Sequence, residues 1–107
     1  MSSNIPFGNV RGMAAVAVAL SPSAVAANTV AEQTFTVSGI LATDFVEISK
    51  PTTQAGLGIA NVRVSAKDTI AIAFVNATGS PITPTAAEVY QLMVFRPDGT
   101  PTARASM

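Results

Sequence analysis

Apolar and polar residues alternate along much of this chain, and the alternation predicts β-strands. Residues 13–20, MAAVAVAL, set Val16, Val18 and Leu20 on one face and small or apolar residues on the other. The same period of two, which is that of a half-buried strand, recurs in five further segments: 32–38, 44–50, 59–65, 69–75 and 88–96. Because no segment shows a convincing helical period, the pattern predicts an all-β chain.

Two neighbouring segments predict a β-hairpin. Residues 59–65 and 69–75 are joined by the short turn Ala66-Lys67-Asp68, a spacing that is typical of antiparallel pairing. In the first of these strands, the alternation places Ala60 inward with the valines that follow it.

The spacing of the strands predicts the fold class and the domain organisation. Six segments about ten residues apart, with turn residues between them, indicate a small antiparallel β-sandwich or barrel of about six or seven strands with extended termini. The segment 88–96 is apolar on both faces over Leu92 to Phe95, so we expect it to be a central strand or to lie under a second layer. The chain then divides into an extended arm at 1–12, a sandwich domain at 13–96 and an extended tail at 97–107.

The composition excludes several classes of function. Only 11% of the 107 residues are charged, the formal net charge is zero, and the chain has no His, Cys or Trp. Without thiols or imidazoles there is no disulfide framework, no Cys- or His-based metal site and no Ser-His-Asp triad. A sparse and balanced charge set also cannot neutralise a nucleic-acid backbone. We therefore predict that the protein is not an enzyme, has no catalytic residues, needs no metal or cofactor and does not bind nucleic acid.

Short motifs do not change this conclusion. Asp44 and Glu47 are three residues apart on a strand and so point to opposite faces, which argues against a catalytic carboxylate pair. The segment Gly56-Leu57-Gly58 precedes a strand, whereas a phosphate-binding glycine loop precedes a helix, so we expect its glycines to allow positive φ in a loop. Asn76-Ala77-Thr78 matches a glycosylation sequon, but we interpret Asn76 as a turn residue.

The apolar segment 13–20 has a second interpretation. With Arg11 before it and Ala24-Val25-Ala26 after it, the segment resembles a short secretory signal with a small-residue cleavage site,. The run is rich in alanine and barely long enough for that role, so we favour a strand. No run reaches the roughly 18–20 apolar residues of a membrane span, so we predict no membrane partner.

The two termini carry the candidate partner-binding residues. They lack periodic apolar positions yet contain apolar side chains that gain free energy when something covers them, namely Ile5, Pro6, Phe7, Val10 and Met107. Two interpretations of the N-terminal arm stay open, since it either folds back over its own sandwich or anchors on a neighbouring molecule.

The small-residue strand faces favour self-association. Segments 13–20 and 69–75 each carry an alanine-rich face that permits close approach of another sheet, and a net charge of zero removes the repulsion that keeps small proteins apart,. We expect a homo-oligomer, with a trimer favoured and a dimer as the alternative.

An ordered series of segments resembles small bacteriophage capsid decoration (cement) proteins. The similarity is carried by AANTVAEQTFTVSGI (26–40), by DFVEISKPTTQAGLGIANVRVSAKDTIAIAFVNATGSPITPT (44–85), and by Tyr90 with Arg96-Pro97; the opening IPFGNVRG is also similar. The resemblance implies a structural virion protein on the outer surface of the phage head, where it binds the major capsid protein and stabilises the assembled shell. The alternative is a β-sandwich module of a phage tail fibre or adhesin that binds a receptor.

Overall fold

The chain folds into two three-stranded antiparallel β-sheets. The computed structural model describes residues 10–98. The strands are β1 (Val10–Leu20), β2 (Thr29–Thr36), β3 (Phe45–Ser49), β4 (Leu57–Ala66), β5 (Thr69–Asn76) and β6 (Glu88–Pro97). This confirms the predicted all-β class, and all six predicted strand segments are present with shifted ends.

The two sheets have the orders β1-β6-β3 and β2-β5-β4. The prediction that 88–96 is a central strand is confirmed, because β6 pairs with β1 on one side and β3 on the other. The central strand of the second sheet is β5, which pairs with β2 and β4. Strands rich in apolar residues thus occupy the middle of each sheet, where both edges are covered.

The core lies between the two sheets. The first sheet contributes Leu20, Val46, Tyr90, Leu92 and Val94, and the second contributes Ile70, Ile72 and Phe74. Tyr90 and Phe74 are the largest of the fully buried side chains. Because these residues recur at every second position of their strands, each sheet turns one apolar face inward and one face outward.

Two β-bulges change the facing of β4. Ile59 pairs with Phe74 and Asn61 pairs with Ala73, so Ala60 is an extra residue with no partner in the ladder. The prediction that Ala60 faces inward is wrong, and its side chain is exposed. A bulge shifts the alternation by one residue, which is why both Ile59 before it and Val62 after it pack against the core.

The predicted hairpin of β4 and β5 is confirmed, with a shorter turn than expected. A second bulge between Val64 and Ala66 extends β4, so that only Lys67 and Asp68 connect the strands. Asp68 adopts a left-handed φ of 60°, which aspartate tolerates better than most residues. Its carboxylate accepts a hydrogen bond from the Gly39 amide at 2.8 Å, and this contact fastens the hairpin to the segment that follows β2.

Asn76 is the last residue of β5, and its buried side chain is a hydrogen-bonding centre for the turn that follows. Its Nδ2 donates to the carbonyl oxygens of Val25 at 3.0 Å and Ser80 at 2.8 Å. Its Oδ1 accepts from the amide of Thr78 at 2.9 Å and from the hydroxyl of Thr78 at 2.7 Å. The side chain holds together two connecting segments, which also meet in the Val25–Ile82 bridge. Since both amide hydrogens are used inside the fold, the sequon is not available for glycosylation in the folded domain.

The loop before β4 uses one glycine for its backbone conformation. Gly56 has a φ of 81°, as the sequence predicts for this loop, whereas Gly58 lies within β4. A Cβ atom at Gly56 would also collide with the Thr78 side chain. Within residues 10–98 there is no helix long and apolar enough to cross a membrane.

Candidate functional site

The predicted partner-binding residues fall mostly outside the described part of the chain. Ile5, Pro6, Phe7 and Met107 lie outside residues 10–98. Val10 is the first residue of β1, where it is half-buried and pairs with Pro97 of β6. The last three residues of the predicted arm, Val10 to Gly12, therefore belong to the edge of the first sheet, with Arg11 as a bulge in the pairing.

The outward surface of the first sheet carries three of the five exposed large hydrophobic residues found among residues 10–98. Strand pairing places its side chains in rows across β3, β6 and β1. The first row is Phe45, Phe95 and Met13; the second is Glu47, Met93 and Ala15; the third is Ser49, Gln91 and Ala17; and Val89 pairs with Ala19 in the last. We refer to these eleven residues as the Phe45 face.

Several large side chains of the Phe45 face are open to solvent. Met13 is 59% exposed and Phe45 is 52% exposed in the first row, and Val89 is exposed in the last row. Phe95 and Met93 are half-buried between the flanking strands. Glu47 is the only charged residue of the face. A shallow depression of about 220 Å³ lies across its middle rows, bounded by Ala15, Ser49, Gln91 and Met93 among others.

The outward surface of the second sheet is different, because an ion pair covers its centre. The Arg63 guanidinium on β4 reaches across β5 to the Glu32 carboxylate on β2, with Nε–Oε2 and Nη2–Oε1 distances of 2.6 and 2.9 Å. The intervening residues Ala71 and Ala73 are small enough to let these side chains meet, and both are buried. The alanine face of 69–75 is thus already covered, whereas the alanines of β1 remain exposed.

A partly buried ion pair holds the loop that precedes Phe45. Asp44 has a fully buried side chain, and its carboxylate accepts from Arg96 Nε at 2.9 Å, Arg96 Nη2 at 2.8 Å and the Leu41 amide at 2.9 Å. Arg96 also donates to the Gly39 carbonyl oxygen at 2.9 Å. The hydrogen bonds from Arg96 hold the pKa of Asp44 below its usual value, against the opposing effect of burial,. Because Asp44 directly precedes Phe45, the Asp44–Arg96 pair fixes the start of β3 and the position of the exposed Phe45 ring.

A second polar cluster lies near the opposite end of β6. Lys50 Nζ is 3.0 Å from Glu88 Oε1, and the Thr52 hydroxyl donates to Glu88 Oε2. The Thr52 hydrogen bond and the Lys50 charge lower the pKa of Glu88. The Tyr90 hydroxyl is buried and has no hydrogen-bond partner among residues 10–98, and burial raises its pKa. The two charged residues of this cluster, Lys50 and Glu88, form an ion pair with each other, so the cluster connects the segment after β3 to the start of β6.

The described residues contain no cluster of metal-ligand side chains. No group of three carboxylates or other ligand-bearing side chains comes together within 10–98. The surface depressions there are open and shallow, in contrast with the deep clefts that hold small ligands. What the described residues do present is an exposed apolar sheet surface, and large exposed apolar patches mark protein or membrane contact sites or ligand-binding grooves.

The Phe45 face could have been found only in part from the sequence. The alternation already assigns Met13, Phe45 and Phe95 to the faces of their strands opposite the core. However, the residues come from three distant segments, and nothing local in the sequence shows that β1 and β3 both flank β6. Comparisons of the chain with protein-family models, curated proteins and solved structures give no match.

Proposed function

We propose that the protein is a structural virion protein that binds the outer surface of a phage capsid and stabilises the assembled head. The observation that carries the proposal is the exposed apolar Phe45 face, which is the surface we assign to contact with the major capsid protein. The segment-by-segment resemblance to capsid decoration proteins supports the choice of partner. The absence of His and Cys from the sequence is consistent with a binding role and not a catalytic one.

The size of the Phe45 face suits a modest protein contact. Three strands about 4.8 Å apart, with side-chain rows about 7 Å apart along the strands, give a patch of several hundred Å². The largest apolar patch on a typical monomer is about 300–600 Å², and such a patch is often a functional surface. A single such patch would bind with limited affinity, because stable protein complexes cover about 800 Å² per partner.

A repetitive shell would compensate for the weakness of each contact. When several linked copies bind to identical neighbouring sites, the second contact forms at a high effective concentration and the combined affinity rises steeply. The candidate residues Ile5, Phe7 and Met107 in the terminal segments add further apolar contacts that span adjacent capsid subunits. The layer then resists the outward pressure of packaged DNA through many small contacts.

Electron microscopy of particles with and without the protein tests this proposal. Purified protein carrying a label is added to particles of the encoding phage that lack it, and the label is located. The proposal expects label at regular positions on the head shell. Label on the tail instead would contradict the proposal and would favour the fibre or adhesin alternative.

A further inference from the structure

We propose that two copies of the chain pair through the free edge of β1 and form one continuous six-stranded sheet. Among the described residues, β1 pairs only with β6, so the backbone donors and acceptors along its other edge have no strand beside them. A row of unpaired amides and carbonyls is a template for another strand. The occupant we assign is the same strand of a second copy, in antiparallel orientation.

The other three edge strands carry features that discourage such pairing. The edge strand β3 has only five residues and is followed by Lys50-Pro51. The β4 edge is interrupted by the two bulges at Ala60 and Ser65. The β2 edge carries Glu32, which is held in its ion pair with Arg63. Short length, bulges, prolines and charges are the devices by which proteins protect sheet edges.

The edge of β1 lacks those devices over most of its length. The strand has eleven residues, and its one bulge and its one charge both lie at Arg11, near its start. From Gly12 to Leu20 the sequence GMAAVAVAL contains no charge and no proline. These nine residues make an uninterrupted edge of about 30 Å at about 3.4 Å per residue.

Both faces of β1 suit a second copy of itself. Residues that pair directly in an antiparallel ladder lie on the same face of the sheet. A two-fold axis near Val16 therefore brings Ala15 and Ala17 of the two copies together on the outside. On the inside, the half-buried residues Val16 and Val18 would gain apolar neighbours. A groove of about 340 Å³ runs beside this part of β1 and is bounded by Ala14, Val16, Ile40, Val94 and Arg96 among others.

The pairing would join the Phe45 faces of two copies into a single surface. The alanine row of β1 forms one border of that face, so a two-fold axis perpendicular to the sheet beside Val16 doubles the apolar area on one side of the sheet. A sheet edge about 30 Å long and about 10 Å thick offers about 300 Å² per copy. The resulting total of about 600 Å² is smaller than the interface of a standard complex, so we expect a weak dimer that forms at high protein concentration. Between the two oligomeric states left open by the sequence, this geometry selects the dimer.

The test compares two charge-matched double variants of the full chain by sedimentation equilibrium, without any capsid. Ala15→Lys with Ala17→Lys places like charges opposite one another for a two-fold axis at residue 15, 16 or 17. Both alanines are exposed, so the fold should tolerate the changes. Thr34→Lys with Thr36→Lys adds the same charge to exposed positions on the edge strand β2 and serves as the control.

We expect the wild type and the β2 variant to form dimers at high concentration, and the β1 variant to dimerise at least about tenfold more weakly. Circular dichroism and thermal unfolding establish that all three proteins are folded. Hydrogen exchange gives a second measurement, in which amides of residues 12–20 become protected as the protein concentration rises. A wild type that stays monomeric, a trimer, or a dimer that only the β2 variant disrupts would each overturn the inference. The capsid proposal can fail while this test succeeds, since no capsid is present.

Discussion

Replacing Asn76 with alanine should destabilise the domain more than the loss of any exposed polar residue. The side chain is 1% exposed and makes four hydrogen bonds to Val25, Thr78 and Ser80. Each such bond contributes about 0.5–1.5 kcal/mol net, and a buried group left without a partner costs about 1–3 kcal/mol. Asn76→Ala removes all four bonds at once.

The size of the loss in the free energy of unfolding depends on whether the former partners of Asn76 keep other hydrogen bonds. The Val25 carbonyl still accepts from the Ile82 amide at 3.0 Å. The Thr78 hydroxyl, freed from Asn76, can donate its one hydrogen to the Ser80 carbonyl, which is 2.9 Å away,. The Thr78 amide, by contrast, loses the Asn76 acceptor and stays within the fold. We therefore expect a decrease of about 3 kcal/mol in the free energy of unfolding, which corresponds to a fall of about 12–24 °C in Tm for a domain of this size.

Urea unfolding followed by circular dichroism measures this change. Asn61→Ala is the matched control, because Asn61 is exposed on β4 and its loss should change stability by no more than about 0.5 kcal/mol. Asn76→Asp keeps an acceptor for Thr78 but turns a carboxylate toward two carbonyl oxygens, so at neutral pH it should be at least as damaging as alanine. A loss below about 1 kcal/mol for Asn76→Ala would refute the reasoning.

Two further predictions concern the Asp44–Arg96 pair and the N-terminal segment. Because the pKa of Asp44 is lowered in the folded state, its contribution to stability is present above the ordinary carboxyl pKa of about 4 and is lost as the pH falls through the folded value. Asp44→Asn should therefore lower the urea midpoint at pH 7, and the difference in midpoint between variant and wild type should become smaller in acid. An equal difference at both pH values would contradict this. Deleting residues 2–9 should leave the circular dichroism spectrum unchanged. The truncated protein should occupy fewer sites on capsids that lack the wild-type protein, because Ile5 and Phe7 are lost. Unchanged occupancy would show that the arm does not attach the protein.

The strands could be predicted from the sequence because their periodicity is local. The alternation in 69–75 and 88–96 locates β5 and β6 and the residues that fill the core. Bulges are not visible in that way: the extra residue at Ala60 is defined by its pairing with β5, so the predicted facing of Ala60 is wrong while Val62 and Val64 are correctly placed.

The candidate binding surface depends on features that the local pattern does not contain. The Phe45 face requires β1, β6 and β3 to be neighbours, and their pairing is set by contacts far apart in the sequence. The sequence likewise does not show that the Asn76 side chain is buried, because its hydrogen-bond partners at Val25 and Ser80 are brought together only by the fold. Strands β1 and β5 both carry alternating alanines in the sequence. The alanines of β5 are covered by the Glu32–Arg63 pair, and the alanines of β1 are exposed.

The most direct test of the proposed function is the binding of two matched variants to phage heads that lack the protein. Phe45→Lys puts a charge at the β3 end of the first row of the Phe45 face, and Val30→Lys puts the same charge at a position that is 60% exposed on the other sheet. Burial of a phenylalanine contributes about 1.5–3 kcal/mol, so Phe45→Lys should weaken binding by about tenfold or more at each site, while Val30→Lys binds like wild type. Equal binding by the two variants, or loss of binding by Val30→Lys alone, would contradict the assignment of the Phe45 face as the capsid-binding surface.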